Sequence, residues 1–267
     1  MSEPPLLRVE KLEVVYHRTI TAVQGISLAV AAGQIVAILG TNGAGKSTTL
    51  RAISGFLGID DARITDGTVT YQGQRIENRA PHEITRCGVV LVPERDKIFP
   101  NLTVADNLAA PFAPASRKRS AREDLVFHFF PQLADLRHRV AGLLSGGERQ
   151  MLAIASALVC RPQLLLVDEL SLGLAPSVVN DLTARLVQIR REFGIAIVMV
   201  EQNAAIALEV ADYGYVFENG RCVLDGDSAR LRAHGDIQEF YLGQSQGLER
   251  RSYRTIKQYR RSRRWYG

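Results

Sequence analysis

Long apolar runs are missing from this chain. The longest, near Ile195–Val200, falls far short of the roughly 18 residues a membrane span requires, so a spanning role is not expected. Cysteine is scarce as well. Cys87, Cys160 and Cys222 are odd in number, far apart and match no metal-ligand spacing, which argues against a disulfide framework or a zinc site. They read instead as small reduced core residues of a cytosolic protein. The opening Met1-Ser2-Glu3-Pro4-Pro5 has no basic stretch leading into an apolar one, so secretion is not indicated. No segment repeats at a fixed period, which removes solenoids and propellers.

Positive charge looks plentiful, with a net +5, but it is concentrated at one end. Residues 243–267 hold eight Lys/Arg against the single acid Glu249, a net +7, which leaves residues 1–242 slightly acidic at −2. The basicity belongs to an appendage in which arginines alternate with Tyr253, Tyr259 and Trp265. Such a composition suits RNA or anionic lipid headgroups, and a solvated or partner-docked extension is an equally good reading.

Against this background one stretch stands out, Gly40-Thr41-Asn42-Gly43-Ala44-Gly45-Lys46-Ser47-Thr48. It fits G-x-x-x-x-G-K-[ST], follows the apolar run Ile35–Leu39 and precedes Leu50, Ile53 and Leu57 at helical spacing. Glycines let the backbone turn tightly and aim its N–H groups at phosphate oxygens, and the helix start adds its positive end. Lys46 is expected at the β- and γ-phosphates and the Ser47 hydroxyl on Mg²⁺. The pattern predicts binding of a nucleoside triphosphate.

Along the chain, Leu6–Tyr16 and Thr21–Ala31 read as strands, followed by Gly67–Tyr71 and Gly88–Val92, with a short helix at Pro81–Thr85. From Glu94 to about Leu144 the parallel-strand texture stops. Thr103–Leu108 starts a helix with Asp106 at the capping-box offset, Pro111–Ser120 reads as an exposed connection, and Ala121–Leu136 reads as one helix. Helix Gly146–Cys160, strand Leu164–Val167, helix Val178–Phe193, strand Ile195–Val200 and helix Ala204–Ala211 then alternate, before a hairpin over Asn219-Gly220. This order predicts an α/β fold with a mostly parallel central sheet, an antiparallel β subdomain and a helical subdomain. Ligands of such sheets bind at the strands' C-terminal ends, where Gly40 and Asp168 both fall.

A second stretch, Leu144-Ser145-Gly146-Gly147-Glu148-Arg149-Gln150, places a serine and two glycines at a helix start. It reads as another anion cradle, and also as an N-cap with Glu148 completing a capping box. Two phosphate cradles in one chain are redundant for one nucleotide, which points to two chains sharing two nucleotides.

Together with Leu164-Leu165-Leu166-Val167-Asp168-Glu169, these motifs make residues 6–242 resemble the ATP-binding subunit of an ABC transporter. Within that family the chain is most similar to ATPases of branched-chain amino acid importers, through Val92-Pro93-Glu94, Phe99-Pro100-Asn101-Leu102-Thr103-Val104, Ser171-Leu172-Gly173-Leu174-Ala175-Pro176 and Val200-Glu201-Gln202-Asn203. Importers of urea or other small amides look alike.

The resemblance implies a nucleotide-binding domain over residues 1–242, a helical subdomain at about 95–160 inserted in it, and a basic aromatic extension at 243–267. It implies Tyr16 stacked on adenine; Ser47, Glu94 and Asp168 around Mg²⁺; and Glu169 orienting and deprotonating the attacking water. Gln202 stands at the switch position, and Ser145, Gly146 and Gly147 would touch the ATP of a second ATPase subunit. Transmembrane permease subunits, a substrate-binding protein and a peripheral place on the cytoplasmic face of the membrane follow from the same resemblance. Three positions depart from the usual pattern: Glu94 replaces a glutamine, Gln202 a histidine and Ala175 an acid. The competing expectation is a non-transport ABC ATPase acting on nucleic acid or ribosomes, but such proteins usually fuse two ATPase units or carry long coiled coils, and neither shows here. Nucleic acid is therefore not the expected partner.

Overall fold

The computed structural model describes residues 4–95, 97–111, 125–235 and 237. Two sheets organise it. One is antiparallel with four strands, in the order β2 (Ile20–Val30), β1 (Leu7–Tyr16), β4 (Ala62–Tyr71) and β5 (Gln74–Arg75). The other has six strands in the order β10 (Arg221–Asp227), β9 (Tyr213–Glu218), β3 (Ile35–Gly40), β8 (Ala196–Glu201), β7 (Leu164–Asp168) and β6 (Val89–Val92). Its pairs are parallel except β9–β10.

The continuous apolar runs of β3, β7 and β8 are explained by burial on both faces. In β3, Ile35, Ala37 and Leu39 join one hydrophobic cluster, while Val36 and Ile38 join the other. The first cluster is closed by helices α3 (Val104–Ala109), α5 (Gly146–Val159), α6 (Pro176–Phe193), α7 (Ala204–Val210) and α8 (Ser228–Ala233). The second is closed by the antiparallel sheet, α1 (Lys46–Ser54) and α2 (Pro81–Arg86). Each fully buried Val, Ile or Leu in these layers contributes about 1.5–3 kcal/mol relative to exposure. The start of β3 is clamped. Asp212 Oδ2 accepts the Ile35 N–H at 2.8 Å, and Arg190 meets both Asp212, at 2.9 Å, and the Gly33 carbonyl.

Most expected elements form within a residue or two of their expected ends. The capping box at Thr103 is present, its hydroxyl accepting the Asp106 N–H at 3.1 Å. The helix expected over Ala121–Leu136 is not continuous. Helix covers 125–129, Phe130 leaves it, and α4 (Pro131–Asp135) starts afresh with Pro131 at its first turn, where proline's missing N–H costs nothing. Residues 121–124 and most of the connection expected at Pro111–Ser120 lie outside the described residues, as does the basic extension. The cysteines are not core residues: Cys87 is exposed, and Cys160 and Cys222 are only partly buried.

Helix α6 buries Val179, Leu182, Leu186 and Ile189, with Phe193 left 40% exposed against Phe129. It begins with no side-chain cap, because Ala175 occupies the N-cap in an extended conformation and the first turn holds no acid. Ala175→Asp is therefore expected to stabilise the fold by about 1 kcal/mol, read as a raised urea midpoint at unchanged slope. An unchanged midpoint would count against a vacant cap.

Candidate nucleotide-binding site

The loop after β3 bends back over the C-terminal end of the parallel sheet. Gly40 has φ 157°, and a Cβ there would sit 2.5 Å from the Phe217 carbonyl oxygen. Gly45, at φ 94°, would bring one to 2.9 Å of the Ala22 carbonyl. At both positions only glycine fits the turn and the close approach together. Residues 42–48, Glu94, Arg95, Glu169 and Leu172 line a cleft of about 360 Å³.

Inside it, Lys46 is nearly buried, donates to the Gly40 carbonyl at 3.0 Å and the Thr41 carbonyl at 3.2 Å, and stands 3.7 Å from Glu169 Oε1. Burial pulls its pKa below the ordinary value, against the opposing pull of Glu169 and Asp168. The Ser47 hydroxyl donates to Asp168 Oδ1 at 2.9 Å. Asp168 is pushed up to about 6, chiefly by burial, with Glu169 and Glu94 adding repulsion. A doubly charged cation would relieve that penalty, and the Ser47 hydroxyl and the Asp168 carboxylate are the hard oxygen donors Mg²⁺ prefers beside phosphate oxygens. The chain's own residues fit the ion, although no cluster of three His, Cys, Asp or Glu is preassembled among the described residues. Glu94 lines the same cleft but pairs with Arg95 at 3.1 Å.

The remaining candidates divide. Gln202 reaches the loop, its amide nitrogen donating to Asn42 Oδ1. Tyr16 lies at the end of β1 with its hydroxyl 3.3 Å from Thr48 Oγ1, at the edge of the loop. Ser145, Gly146 and Gly147 are absent from the cleft's described lining. They open α5, where Ser145 Oγ accepts the Glu148 N–H at 3.3 Å and Glu148 Oε2 accepts the Ser145 N–H at 2.7 Å. Those hydrogen bonds hold the Glu148 carboxyl below the usual range. Gly147 has a packing reason too, since a Cβ there would meet Val178 Cγ1 at 2.9 Å. The capping box and the small-residue requirement are both real, and neither conflicts with an anion at the helix start.

Glu201 had no individual role in the sequence reading. It is 1% exposed at the end of β8 and is pushed up to about 7, chiefly by burial. In the window from 4.5 to about 7 the folded chain keeps a proton that the unfolded chain has released, so this group's share of stability is present below 4.5 and is lost as pH rises through 7. The shift corresponds to about 3 kcal/mol, which Glu201→Gln is expected to remove from the pH dependence. Urea unfolding of both proteins at either end of the window measures it; equal pH slopes would sink it.

Comparison with known proteins agrees with this geometry. A family model described as ABC transporter matches residues 23–171. The chain is 39% identical, over 85% of its length and 96% of the relative's, to the high-affinity branched-chain amino acid transport ATP-binding protein BraG of Pseudomonas aeruginosa. It is 34% identical, over 89% of its length and 99% of the relative's, to the probable branched-chain amino acid transport ATP-binding protein LivF of Archaeoglobus fulgidus. Among solved structures, the ADP conformation of MJ1267, an ATP-binding cassette of an ABC transporter, superposes with a TM-score of 0.78 at 27% identity, covering 91% of this chain and 100% of that one. With a cassette fold, a phosphate loop closed on a buried lysine and two acids at the end of β7, the chain belongs to the ABC transporter family as one of its ATP-hydrolysing subunits.

Proposed function

We propose that this ATPase drives import of branched-chain or other small amino acids through separate membrane subunits. The observation that carries it is the meeting of Lys46, Glu169 and the Ser47–Asp168 pair beside the loop amides, in a chain more than a third identical to an amino acid transport ATPase. Residues 1–242 form the motor, with 95–160 as its helical part and 243–267 as an extension.

Phosphoryl transfer asks a protein mostly for positioning and charge stabilisation. Here Tyr16 packs on adenine, the amides of residues 43–48 hold the phosphates, and Lys46 neutralises the terminal ones. Ser47 and Asp168 would hold Mg²⁺, with Glu94 nearby; the ion, when bound, neutralises phosphate charge. Glu169 orients the attacking water and takes its proton, while Gln202 donates a hydrogen bond to the γ-phosphate. As an amide, Gln202 does not titrate near neutral pH. Ser145, Gly146 and Gly147 complete the site of a second ATPase subunit, so that ATP holds two subunits together and hydrolysis releases them. Their place outside the cleft of their own chain supports this sharing.

Membrane subunits find a surface in Phe99, Leu102, Val140 and Leu143, exposed apolar residues on two stretches joined by the Ala141 N–H to Leu102 carbonyl hydrogen bond at 2.8 Å. None of the described helices is long and apolar enough to cross a membrane. The protein's place in this reading is peripheral, on the cytoplasmic face beside those membrane subunits, and a substrate-binding protein delivers the amino acid from the other side. Cells lacking this chain are expected to lose uptake of labelled leucine, and to regain it with the native chain but not with Glu169→Gln. Undiminished uptake overturns the amino acid assignment, and tight, salt-sensitive RNA binding by the purified protein would favour the non-transport alternative.

A further inference from the structure

Behind Glu169 lies an arrangement that its role as base does not account for. Glu169 adopts φ 47°, a left-handed conformation rare for a side chain of this size, and its N–H donates to the Val200 carbonyl at 2.9 Å. The next residue, Leu170, is wholly buried. The one after it, Ser171, meets Glu201: its N–H donates to Oε1 at 3.1 Å and its hydroxyl donates to Oε2 at 2.6 Å. Burying a carboxylate is costly unless its oxygens are satisfied, and here one residue satisfies both. The residue after Glu201 is Gln202, whose amide reaches Asn42 in the phosphate loop.

We propose that Glu201 is a positioning residue for hydrolysis, its carboxylate gripping both the N–H and the hydroxyl of Ser171 and so tying the turn that carries Glu169 to the strand end that carries Gln202. The inference rests on Glu169 being the base, as argued above. Two polar groups that approach the terminal phosphate from different elements thereby become one rigid unit. A turn held in an unfavourable conformation keeps it only while its surroundings enforce it. Releasing the grip lets Glu169 relax away from the attacking water, while the loop amides and Lys46, which bind the phosphates, stay in place. The damage should therefore appear in turnover and not in affinity.

The test uses the full-length protein carrying Ser171→Ala, Ser171→Thr, Glu201→Gln and the Ser171→Ala/Glu201→Gln pair, each also in a Glu169→Gln background. Turnover, KM for ATP and the affinity for a fluorescent ATP analogue are measured, with thermal unfolding to confirm folding. Ser171→Ala and Glu201→Gln are expected to lower kcat roughly tenfold, leaving KM and affinity within about twofold of native. The pair should be no slower than its worse member, and Ser171→Thr, which keeps the hydroxyl, should recover most of the rate. In the Glu169→Gln background neither change should slow the residual rate further. Native turnover in a folded Ser171→Ala or Glu201→Gln protein, multiplying effects in the pair, or a loss confined to affinity each overturn the inference. Should Glu201→Gln fail to fold, Ser171→Ala decides alone. Native turnover in Glu169→Gln itself overturns the reading of the base, a result distinct from the others.

Discussion

Glu169→Gln is expected to cut ATP turnover by roughly 10²- to 10³-fold while ATP remains bound. The amide matches the carboxylate in shape, so the turn built on the Glu169 N–H to Val200 bond survives. What disappears is the ability to accept a proton, together with one negative charge 3.7 Å from Lys46. That charge repels the terminal phosphate, so ATP should bind at least as tightly as before. Bound but uncleaved ATP then accumulates, and size-exclusion chromatography in ATP should show two copies travelling together. Phosphate release at the native rate would remove Glu169 as the base, whatever the chromatography showed.

Lys46→Ala is expected to weaken ATP binding by about 100-fold, equivalent to about 2.7 kcal/mol. The Lys46 side chain is buried among Asp168, Glu169 and Glu201, all of which act electrostatically on it. Without it a polyanion meets Glu94 and Glu169, with the exposed Arg95 left as the cation in the cleft's described lining. Lys46→Arg should fare little better: the side chain is 4% exposed, and a planar fork cannot occupy a space shaped for a compact ammonium. Calorimetric titration with ATP measures both variants. A second readout is the rise in melting temperature on adding ATP, which should nearly vanish. Native affinity in Lys46→Arg would show that charge alone, without shape, is what the site requires.

The site was legible wherever its residues are neighbours in sequence. Gly40–Thr48 between an apolar strand and a helical periodicity, and Asp168-Glu169 after Leu164–Val167, announce themselves because local spacing and local chemistry coincide. The Thr103 cap was legible for the same reason. What escaped depends on distant partners. Residues 62–66 precede the strand expected at Gly67–Tyr71, yet they extend β4 because β1 pairs with Ala62, Arg63, Ile64 and Asp66. Glu201 carries no role that local spacing reveals, because its partner Ser171 is 30 residues away. The break at Phe130 escaped because Leu125, Phe129 and Leu133 keep a helical period across it, and Phe130 itself turns into the core. Tyr16 was assigned by resemblance, and its hydroxyl contact to Thr48 could not have been read from a tyrosine at a strand end.

The strand beneath the phosphate loop has side chains locked alternately into two opposed layers, and its first amide is fastened by Asp212. Such a strand behaves as an anvil. A force arising on its tip when a phosphate bond breaks finds no give below, because sinking or sliding by one methyl width would crowd one layer and open a void in the other. Any displacement on nucleotide binding or release is therefore expected in the exposed side chains at the cleft's edge, Arg95 and Leu172, and not in the strand.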